Sequence, residues 1–452
     1  MGPNYQRPPL AVPANFRAPE PLPAAAQVDS LANLKWFEVF RDEKLQELIR
    51  TALKQNFDLR DAVARVEEAR ANLGIVRSNQ FPNFGAGGGV EINRLSRDGE
   101  TPLPPELLSS QNRNFGSVSL GLLSYEVDIW GKLRRATEAA RASLLSAQEY
   151  RDAVVTTLIA DVATAYLTLR ELDYALDISN RTLRTREQSL ELTQSRASGG
   201  VSTRLDFRQA QQLVDTAAET IPTIQLQIEQ TENQIRLLLG ESPSEVVRGR
   251  DFTAQNLPPE VPPGLPSQLL ERRPDIREAE QDLRAANAQI GVAKAAYFPE
   301  LSLSGALGGQ STQLSSLLAG PKTAWNLAPQ LTQPIFTAGR LKSSVKMAEA
   351  ERERAAVHYE KAVQTAFSEV SNGLIAHQRV RESREQQEAL VTALQDRERL
   401  AYIRYRGGVD TQLNALDADR DLFQAELDLA QIRLNESLTV VQLYKALGGG
   451  WQ

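Results

Sequence analysis

The amino-acid sequence predicts a mixed α and β membrane protein with two internal repeats in each chain. Three observations lead to this fold class. Landmark sequences recur at constant offsets, long proline-free segments carry a heptad pattern, and short segments alternate apolar with small polar residues. A large unit repeated within one chain is typical of an architecture whose copies line a common feature.

The repeat is most visible in its glycine-containing landmarks. Gly131-Lys132-Leu133 is followed 68 residues later by Gly199-Gly200-Val201. Gly339-Arg340-Leu341 is followed at the same spacing by Gly407-Gly408-Val409, and each landmark of the second set lies 208 positions after its counterpart. The helical parts of the two copies therefore have the same length.

A second landmark gives the domain boundaries. Phe81-Pro82 and Phe298-Pro299 match at an offset of 217, so the first copy holds nine extra residues between its Phe-Pro and Gly131. Proline stops a helix, so each Phe-Pro is expected to end one. The predicted divisions are an extended proline-rich amino-terminal and equatorial segment at 1–45, repeat 1 at 46–240, an equatorial linker at 241–274, repeat 2 at 275–447 and a tail at 448–452.

Long helices are predicted between the glycine landmarks. No proline occurs from Gly131 to Gly199, and leucine or alanine recurs every seventh residue from Leu169 to Ala197. A seven-residue apolar period predicts coiled-coil packing, and 68 residues at 1.5 Å each extend for about 100 Å. Glycine adopts left-handed backbone conformations easily, so four glycines are predicted to form the helix-reversal turns: Gly199, Gly200, Gly407 and Gly408.

Four strands are predicted at about 84–94, 114–127, 300–308 and 323–334. Val118, Leu120 and Leu122 alternate with serine and glycine, and the strand at 323–334 shows the same period of two. Aromatic residues lie near the predicted strand ends, as expected for strands that cross a bilayer. The alternative is a water-soluble coiled-coil scaffold with ordinary hairpins, which explains the heptads but not the aromatic placement.

The strand number predicts an oligomer. Open strand edges do not occur in lipid, and known single-chain barrels have at least eight strands. Two copies of this chain would give eight strands with a filled lumen, whereas three would give twelve strands and a pore. Small residues on the inward face, such as Ser117, Ser119 and Gly121, favour three copies.

Composition argues against an enzyme. The net charge is −6, which disfavours nucleic acid as a partner. The chain has no cysteine and only two histidines, which excludes a cysteine nucleophile, a disulfide framework and a soft-metal site. His358 and His377 are 19 residues apart without a catalytic partner pattern, so we interpret them as packing or surface residues. No catalytic residue, cofactor or metal is expected.

Several separated motifs resemble one family. These are the amino-terminal Gly2–Pro8, Glu271–Arg277, Tyr297-Phe298-Pro299, Tyr405–Asp410 and Leu443–Trp451. Because these motifs occur in this order and together with the duplication, the chain resembles the TolC-type outer-membrane efflux factors, specifically the lipoprotein branch of multidrug tripartite pumps. The resemblance covers essentially the whole chain.

The resemblance implies a trimeric 12-stranded β-barrel continuous with a 12-helix α-barrel tunnel in the periplasm. Such a protein is a passive exit duct in the bacterial outer membrane, which receives drugs or other small molecules from an inner-membrane transporter through a periplasmic adaptor. A protein-secretion duct of the same architecture is the alternative. Members of this branch carry a lipid-modified cysteine shortly before Gly-Pro-x-Tyr, whereas Met1 precedes Gly2 here. An amino-terminal lipid anchor is expected in the native form.

The candidate site follows the second glycine turn. Leu413, Asp417 and Arg420 lie four and three residues apart, hence on one helical stripe. Spacing alone equally fits a core leucine beside an exposed ion pair. The family has a leucine ring and an aspartate ring that close the periplasmic mouth, with an arginine nearby, and these positions match. The resemblance thus implies a periplasmic gate at these three residues, with Asp206 after the first turn as a weaker candidate.

Overall fold

The computed structural model describes residues 1–10, 12–13, 15–19, 31–94, 112–255, 266–313, 315, 317 and 323–451. Helices and strands alternate in two similar blocks within those residues. The helices are α1 Trp36–Val39, α2 Glu43–Gln55, α3 Phe57–Ser78, α4 Lys132–Ser198, α5 Arg204–Leu239, α6 Pro266–Arg272, α7 Pro274–Ala295, α8 Arg340–Arg406 and α9 Gln412–Ala446; the strands are β1 Asn83–Arg94, β2 Asn112–Val127, β3 Glu300–Ser311 and β4 Thr323–Thr332.

The predicted elements are present, with corrections at their ends. Helices α4 and α8 each have 67 residues, and α3 and α7 each have 22 and end before a Phe-Pro. β2 and β3 are longer than predicted, because β2 starts at Asn112 and β3 ends at Ser311, while β4 stops at Thr332 rather than at 334. The proline-rich segments 1–45 and 241–274 also contain helices, namely α1, the start of α2 and α6. Part of the predicted linker, 256–265, lies outside the described residues.

The strands form one antiparallel sheet in the order β1-β2-β3-β4. Residues opposite each other in the ladders, such as Leu120 and Leu307, lie on the same face of the sheet. One face is mostly apolar on all four strands, and the other carries mainly small or polar residues, with Phe115 as an exception. The apolar face includes Phe84, Val90, Ile92, Val118, Leu120, Leu122, Leu303, Leu307, Trp325, Leu327 and Leu331; the opposite face includes Gly85, Gly87, Gly89, Ser117, Ser119, Gly121, Ser302, Ser304, Asn326 and Gln330.

The sheet belongs to the first of two compact units, which comprises Met1–Pro9, Val66–Ala147 and Ala279–Tyr359. Each unit contains parts of both sequence repeats. In this unit the amino-terminal residues are held to α7, where the Tyr5 hydroxyl donates to Glu280 at 3.0 Å and Arg7 pairs with the same carboxylate at 2.5 Å. Glu280 is buried, so the two contacts compensate the cost of removing its charge from water.

The second unit comprises Leu10–Arg65, Gln148–Glu278 and Glu360–Gln452. Here the Tyr166 hydroxyl on α4 donates to Asp42 at 2.9 Å and accepts from the Gly249 amide at 2.9 Å. The Arg250 amide also donates to Asp42 at 2.9 Å. Residues before α2 and after α5 are thus joined to α4 through two buried side chains.

Among the described helices, α4 is the one that passes a length and composition test for crossing a membrane. An 18-residue window of α4 has a mean hydropathy of 1.4, but 56% of that window is buried inside the protein. Because α4 has 67 residues and a heptad pattern, packing against neighbouring helices accounts for its apolar character.

Candidate functional site at the helix reversals

The two predicted helix reversals have the same backbone geometry. Gly200 has φ 76° and Gly408 has φ 73°, and both lie in the left-handed region. The amide of Val201 donates to the Arg196 carbonyl at 2.9 Å, and the amide of Val409 donates to the Arg404 carbonyl at 3.1 Å. These are helix C-caps of the Schellman type.

The glycine prediction needs one correction. Gly199 and Gly407 are not in the left-handed region, which contains only the second glycine of each pair. The space around the second glycines is open, since a Cβ at Gly200 or Gly408 would meet no atom within 4 Å. Backbone conformation rather than crowding therefore requires glycine at those two positions.

The first return helix, α5, begins with a capping box. The Thr203 hydroxyl accepts from the Asp206 amide at 3.1 Å, and the Asp206 carboxylate accepts from the Thr203 amide at 2.7 Å. Two amides that the helix leaves without backbone partners are satisfied in this way. Asp206, predicted as a weaker gate candidate, therefore has a local structural role in the described structure.

The second return helix, α9, begins differently. Its N-cap is Thr411, whose side chain accepts no capping hydrogen bond. Asp410 accepts instead from the Arg404 side chain at 2.9 Å, the Asn414 amide group at 2.6 Å and the Thr411 backbone amide at 2.8 Å. These donors, led by Arg404 and Asn414, lower the pKa of the Asp410 carboxyl below its ordinary range.

The three predicted gate residues lie on one face of α9, close to this second reversal. Leu413 is 48% exposed. Arg420 pairs with Asp417 at 3.2 Å, but it also pairs with Asp421 at 3.0 Å, and Arg397 pairs with Asp421 at 2.7 Å. Arg420 would therefore keep a carboxylate partner if Asp417 were removed. Both members of the Asp417–Arg420 pair are substantially exposed in the single chain, where such pairs contribute little stability.

Sequence reasoning missed a buried ion pair between α4 and α9. Arg186 donates from Nε to Asp419 at 2.7 Å, and neither side chain is more than 8% exposed. Arg186 also donates to the Leu213 carbonyl at 2.9 Å and lies over the Phe423 ring at 4.8 Å. Burial raises the pKa of the Asp419 carboxyl above its ordinary range, although Arg186 opposes this shift.

A second polar contact joins the same helices nearer the reversals. The Gln412 side-chain amide donates to the Thr193 hydroxyl at 2.9 Å, and the Tyr405 hydroxyl donates to Gln412 at 3.2 Å. Gln412 and Thr193 are buried. The helix that precedes the first reversal is thereby tied to the helix that follows the second.

Polar residues at regular heptad positions of α4 could have predicted these contacts from the sequence. Counting three residues beyond the leucines of the α4 heptad gives Leu172, Ser179, Arg186 and Thr193, and all four are buried. Polar residues at core heptad positions usually specify register at a cost in stability. An arginine in that series indicated a buried acidic partner.

No group of three or more His, Cys, Asp or Glu in the described ranges is placed to hold a metal ion. The Nδ1 atom of His377 on α8 lies 3.1 Å from the hydroxyl of Thr439 on α9. Near the second reversal, the described site holds the exposed Leu413, the Arg420 guanidinium between Asp417 and Asp421, and the buried polar contacts between α4 and α9.

Comparison with known proteins decides the family. The chain matches the family described as outer membrane efflux protein over residues 48–241 and 265–449. It belongs to that family. It is 38% identical to the toluene efflux pump outer membrane protein TtgC of Pseudomonas putida, covering 99% of this chain and 92% of that protein. It is 34% identical to the outer membrane protein OprJ of Pseudomonas aeruginosa, covering 100% of this chain and 93% of that protein.

Solved structures agree. The open state of the MtrE outer membrane channel of Neisseria gonorrhoeae is similar with a TM-score of 0.89 and 33% identity, covering 100% of this chain and 98% of that one. The outer-membrane channel OprN has a TM-score of 0.90 and 30% identity, with coverage of 100% and 99%. The predicted resemblance, the mixed α and β fold class and the outer-membrane location are confirmed.

Proposed function

We propose that three copies of this outer membrane efflux protein form the exit duct of a tripartite pump. The observation that carries the proposal is the sheet, which has one mostly apolar face and one face of mainly small and polar residues. Within the described residues, its outer strands β1 and β4 are each paired on one side only. An apolar outer face suits lipid, a polar inner face suits a water-filled lumen, and closure removes the edges. Driving force would come from an inner-membrane transporter, reached through a periplasmic adaptor.

The proposed cargo is small apolar compounds. Relatives that cover nearly the whole chain are named for efflux of toluene, of solvents and of antibiotics. These names favour small-molecule export over the alternative of protein secretion. In a duct, selectivity lies largely with the transporter and adaptor, so the chain needs only a lumen that does not retain its cargo.

The test of the duct has two parts. The protein should leave the membrane only with detergent and then have the mass of three 49.9 kDa chains by light scattering. In a host that lacks its own exit duct, the chain with its cognate transporter and adaptor should restore growth in the presence of toluene. A monodisperse, water-soluble monomer would contradict the trimer, and a trimer that restores no resistance would contradict efflux.

We also propose that Leu413, Asp417 and Arg420 close the periplasmic mouth, with Asp206 as the weaker candidate. Support comes from the position of the first three on α9 directly after the second reversal, and from the exposure of Leu413 in the single chain. Exposed leucines from three copies that meet near an axis would form a dewetting constriction. A ring of Asp417 carboxylates near the same axis would attract cations.

Leu413→Ala and Asp417→Ala should each raise single-channel conductance in a planar bilayer, by about twofold or more, because each removes a side chain from the constriction. In Asp417→Ala, Asp421 still pairs with Arg420. Since the double variant Asp417→Ala/Asp421→Ala removes both carboxylates, it should conduct more than Asp417→Ala alone. Asp428→Ala is the matched control, since Asp428 contacts Gln424 farther along the same helix. If both single variants conduct like the parent protein, the gate lies elsewhere.

A further inference from the structure

An open groove lies where α2, α3 and α4 meet. Its volume is about 510 Å³, within the range of about 300–1,000 Å³ that is typical of small-molecule sites. All of its lining residues belong to the second compact unit. We call it the α2–α4 groove, and its apolar lining comes from Leu53 on α2, Leu59 and Val63 on α3, and Val155 on α4.

The apolar part of the α2–α4 groove offers nothing for a polar ligand to bind. Asn56, the uncharged polar residue of its lining, is buried and has partners at both ends of its amide. Its nitrogen donates to the Leu238 carbonyl at 2.9 Å, and its oxygen accepts from the Leu59 backbone amide at 3.0 Å. Val63 is 46% exposed, so covering it with an apolar group would be favourable.

The charged residues of the lining are all basic. They are Lys54, Arg60 and Arg151, and none of the described residues that line the groove carries a carboxylate. Arg151 donates to Asp152 at 2.6 Å. Lys54 and Arg60 form no ion pair within the part of the chain that the structure describes, and Arg60 lies over the Phe57 ring at 5.8 Å. An anionic group would therefore complement the charge of the α2–α4 groove.

The second repeat shows how the chain satisfies the corresponding arginine by itself. Arg277 lies 217 positions after Arg60, and its guanidinium pairs with the Glu149 carboxylate at 2.6 Å. The position that corresponds to Glu149, at the offset of 208, is Val357. The repeat thus supplies a carboxylate for Arg277 but no counterpart of it for Arg60, which leaves the Arg60 guanidinium for an anion from outside the chain.

We propose that the α2–α4 groove binds a single-chain amphiphilic anion of the fatty-acid type. Its hydrocarbon chain covers the apolar lining, and its carboxylate is held by Lys54 and Arg60. The planar fork of an arginine matches a carboxylate, and lysine adds a point charge. A ligand that touches α2, α3 and α4 together stabilises their arrangement by mass action. The site lies within one chain and does not depend on the proposed trimer.

The test uses photolabelling, which reports where a ligand binds. The probe is decanoic acid with a diazirine at the end of its chain, and the methyl ester of the same compound is the matched neutral probe. The protein is held in an amphipol, so that no detergent micelle competes for the probe. After illumination, mass spectrometry of the digested protein should find the acid attached at Leu53, Val63 or Val155 about tenfold more often than the ester, because the ester lacks the charged hydrogen bonds.

The length of the chain gives a second measurement. Unlabelled octanoate, decanoate and dodecanoate should compete with the probe in rising order. The affinity should increase by up to about fourfold for each added CH₂ group, as expected for burial of hydrocarbon. Competition that does not depend on chain length would overturn the apolar half of the site.

Three variants test the residues. Arg60→Gln should lower labelling by the acid about tenfold and leave labelling by the ester unchanged, because only the acid carries the charge that Arg60 holds. Val63→Glu should abolish labelling by the acid, since it places a carboxylate in the apolar lining next to Arg60. Arg208→Gln is the matched control, because Arg208 is also an exposed arginine over a phenylalanine ring, that of Phe207 at 5.7 Å, but lies outside the groove. It should label like the parent protein.

The outcomes that overturn the proposal are distinct. Equal labelling by the acid and the ester, or equal labelling of Arg60→Gln and Arg208→Gln by the acid, would show that the groove does not select an anion. No adduct at the groove would exclude the site. The oligomeric state is measured by light scattering before illumination. Labelling of monomers alone, with none in the trimer, would show that another copy of the chain covers the groove and would also overturn the proposal.

Discussion

The two helix reversals share a backbone but are stabilised by different chemistry. Both use a left-handed glycine and a Schellman cap. The first continues into a capping box between Thr203 and Asp206. The second has no side-chain cap at Thr411 and relies on Asp410, which is held by Arg404 and Asn414. A capping box is local and changes little with salt, whereas exposed ion pairs are screened and can exchange partners.

This difference bears on gating. The proposed gate residues follow the second reversal, where Arg420 already has two alternative carboxylates in Asp417 and Asp421. A turn held by exchangeable charges can change its arrangement at small cost. The first reversal, fixed by its own backbone amides, is better suited to act as a stationary element. Three experiments test this contrast.

The largest effect is expected at the buried pair that ties α4 to α9. Asp419→Ala should destabilise the protein by about 3–5 kcal/mol, because it leaves the buried Arg186 charge without its carboxylate. A lower thermal midpoint of the helical circular dichroism signal in detergent would show this. The double variant Arg186→Met/Asp419→Leu should recover most of the loss, since an apolar replacement of both partners leaves no unpaired charge.

Asp428→Ala serves as the exposed control for this experiment. If Asp419→Ala unfolds at the same temperature as Asp428→Ala, the buried pair does not tie the helices. If the double variant Arg186→Met/Asp419→Leu is as unstable as Asp419→Ala, the loss of stability comes from altered side-chain packing and not from an unpaired charge.

A smaller effect should distinguish the two N-caps. Thr203→Ala should cost about 1 kcal/mol locally, because it removes one half of the capping box. Amide hydrogen exchange in the first turn of α5 should then be about fivefold faster. The matched change Thr411→Ala should leave exchange in the first turn of α9 almost unchanged, since that hydroxyl accepts no capping bond. Equal effects at the two sites would remove the contrast between the reversals.

The smallest effect concerns pH at the second reversal. The pKa of Asp410 is lowered mainly by Arg404 and then by Asn414. Its contribution to stability is therefore present above the ordinary aspartate pKa and is lost as the pH falls through the lowered value. At pH 7, Asp410→Asn should speed exchange at residues 407–412 by about twofold, as expected for an ion pair whose arginine is exposed. The ratio of the exchange rates of variant and parent should approach one once the pH lies below the lowered pKa of Asp410. If the ratio of exchange rates does not depend on pH, the effect of Asp410→Asn does not come from the loss of the carboxylate charge.

The sequence by itself determined the repeat, the strand faces and the helix ends. These depend on local rules: a left-handed turn needs glycine, proline ends a helix, and a period of two or seven residues places side chains on one face. Gly200, Gly408, the two Phe-Pro pairs and the alternation around Leu120 therefore predicted the right elements. Strand ends were missed by two or three residues. β2 and β3 run past their apolar pattern to Asn112 and Ser311 because ladder pairing continues there, whereas β4 ends at Thr332, before the predicted end at 334.

Only the tertiary structure decided which charges meet. Spacing along α9 paired Arg420 with Asp417, but it could not show that Asp421 competes for the same guanidinium or that Arg397 on α8 reaches Asp421. The Arg186–Asp419 pair joins residues 233 positions apart, and the heptad pattern indicated a buried arginine without naming its partner. Contacts between helices depend on their rotation and register, which are set by the packing of many side chains together and are not encoded at any one position.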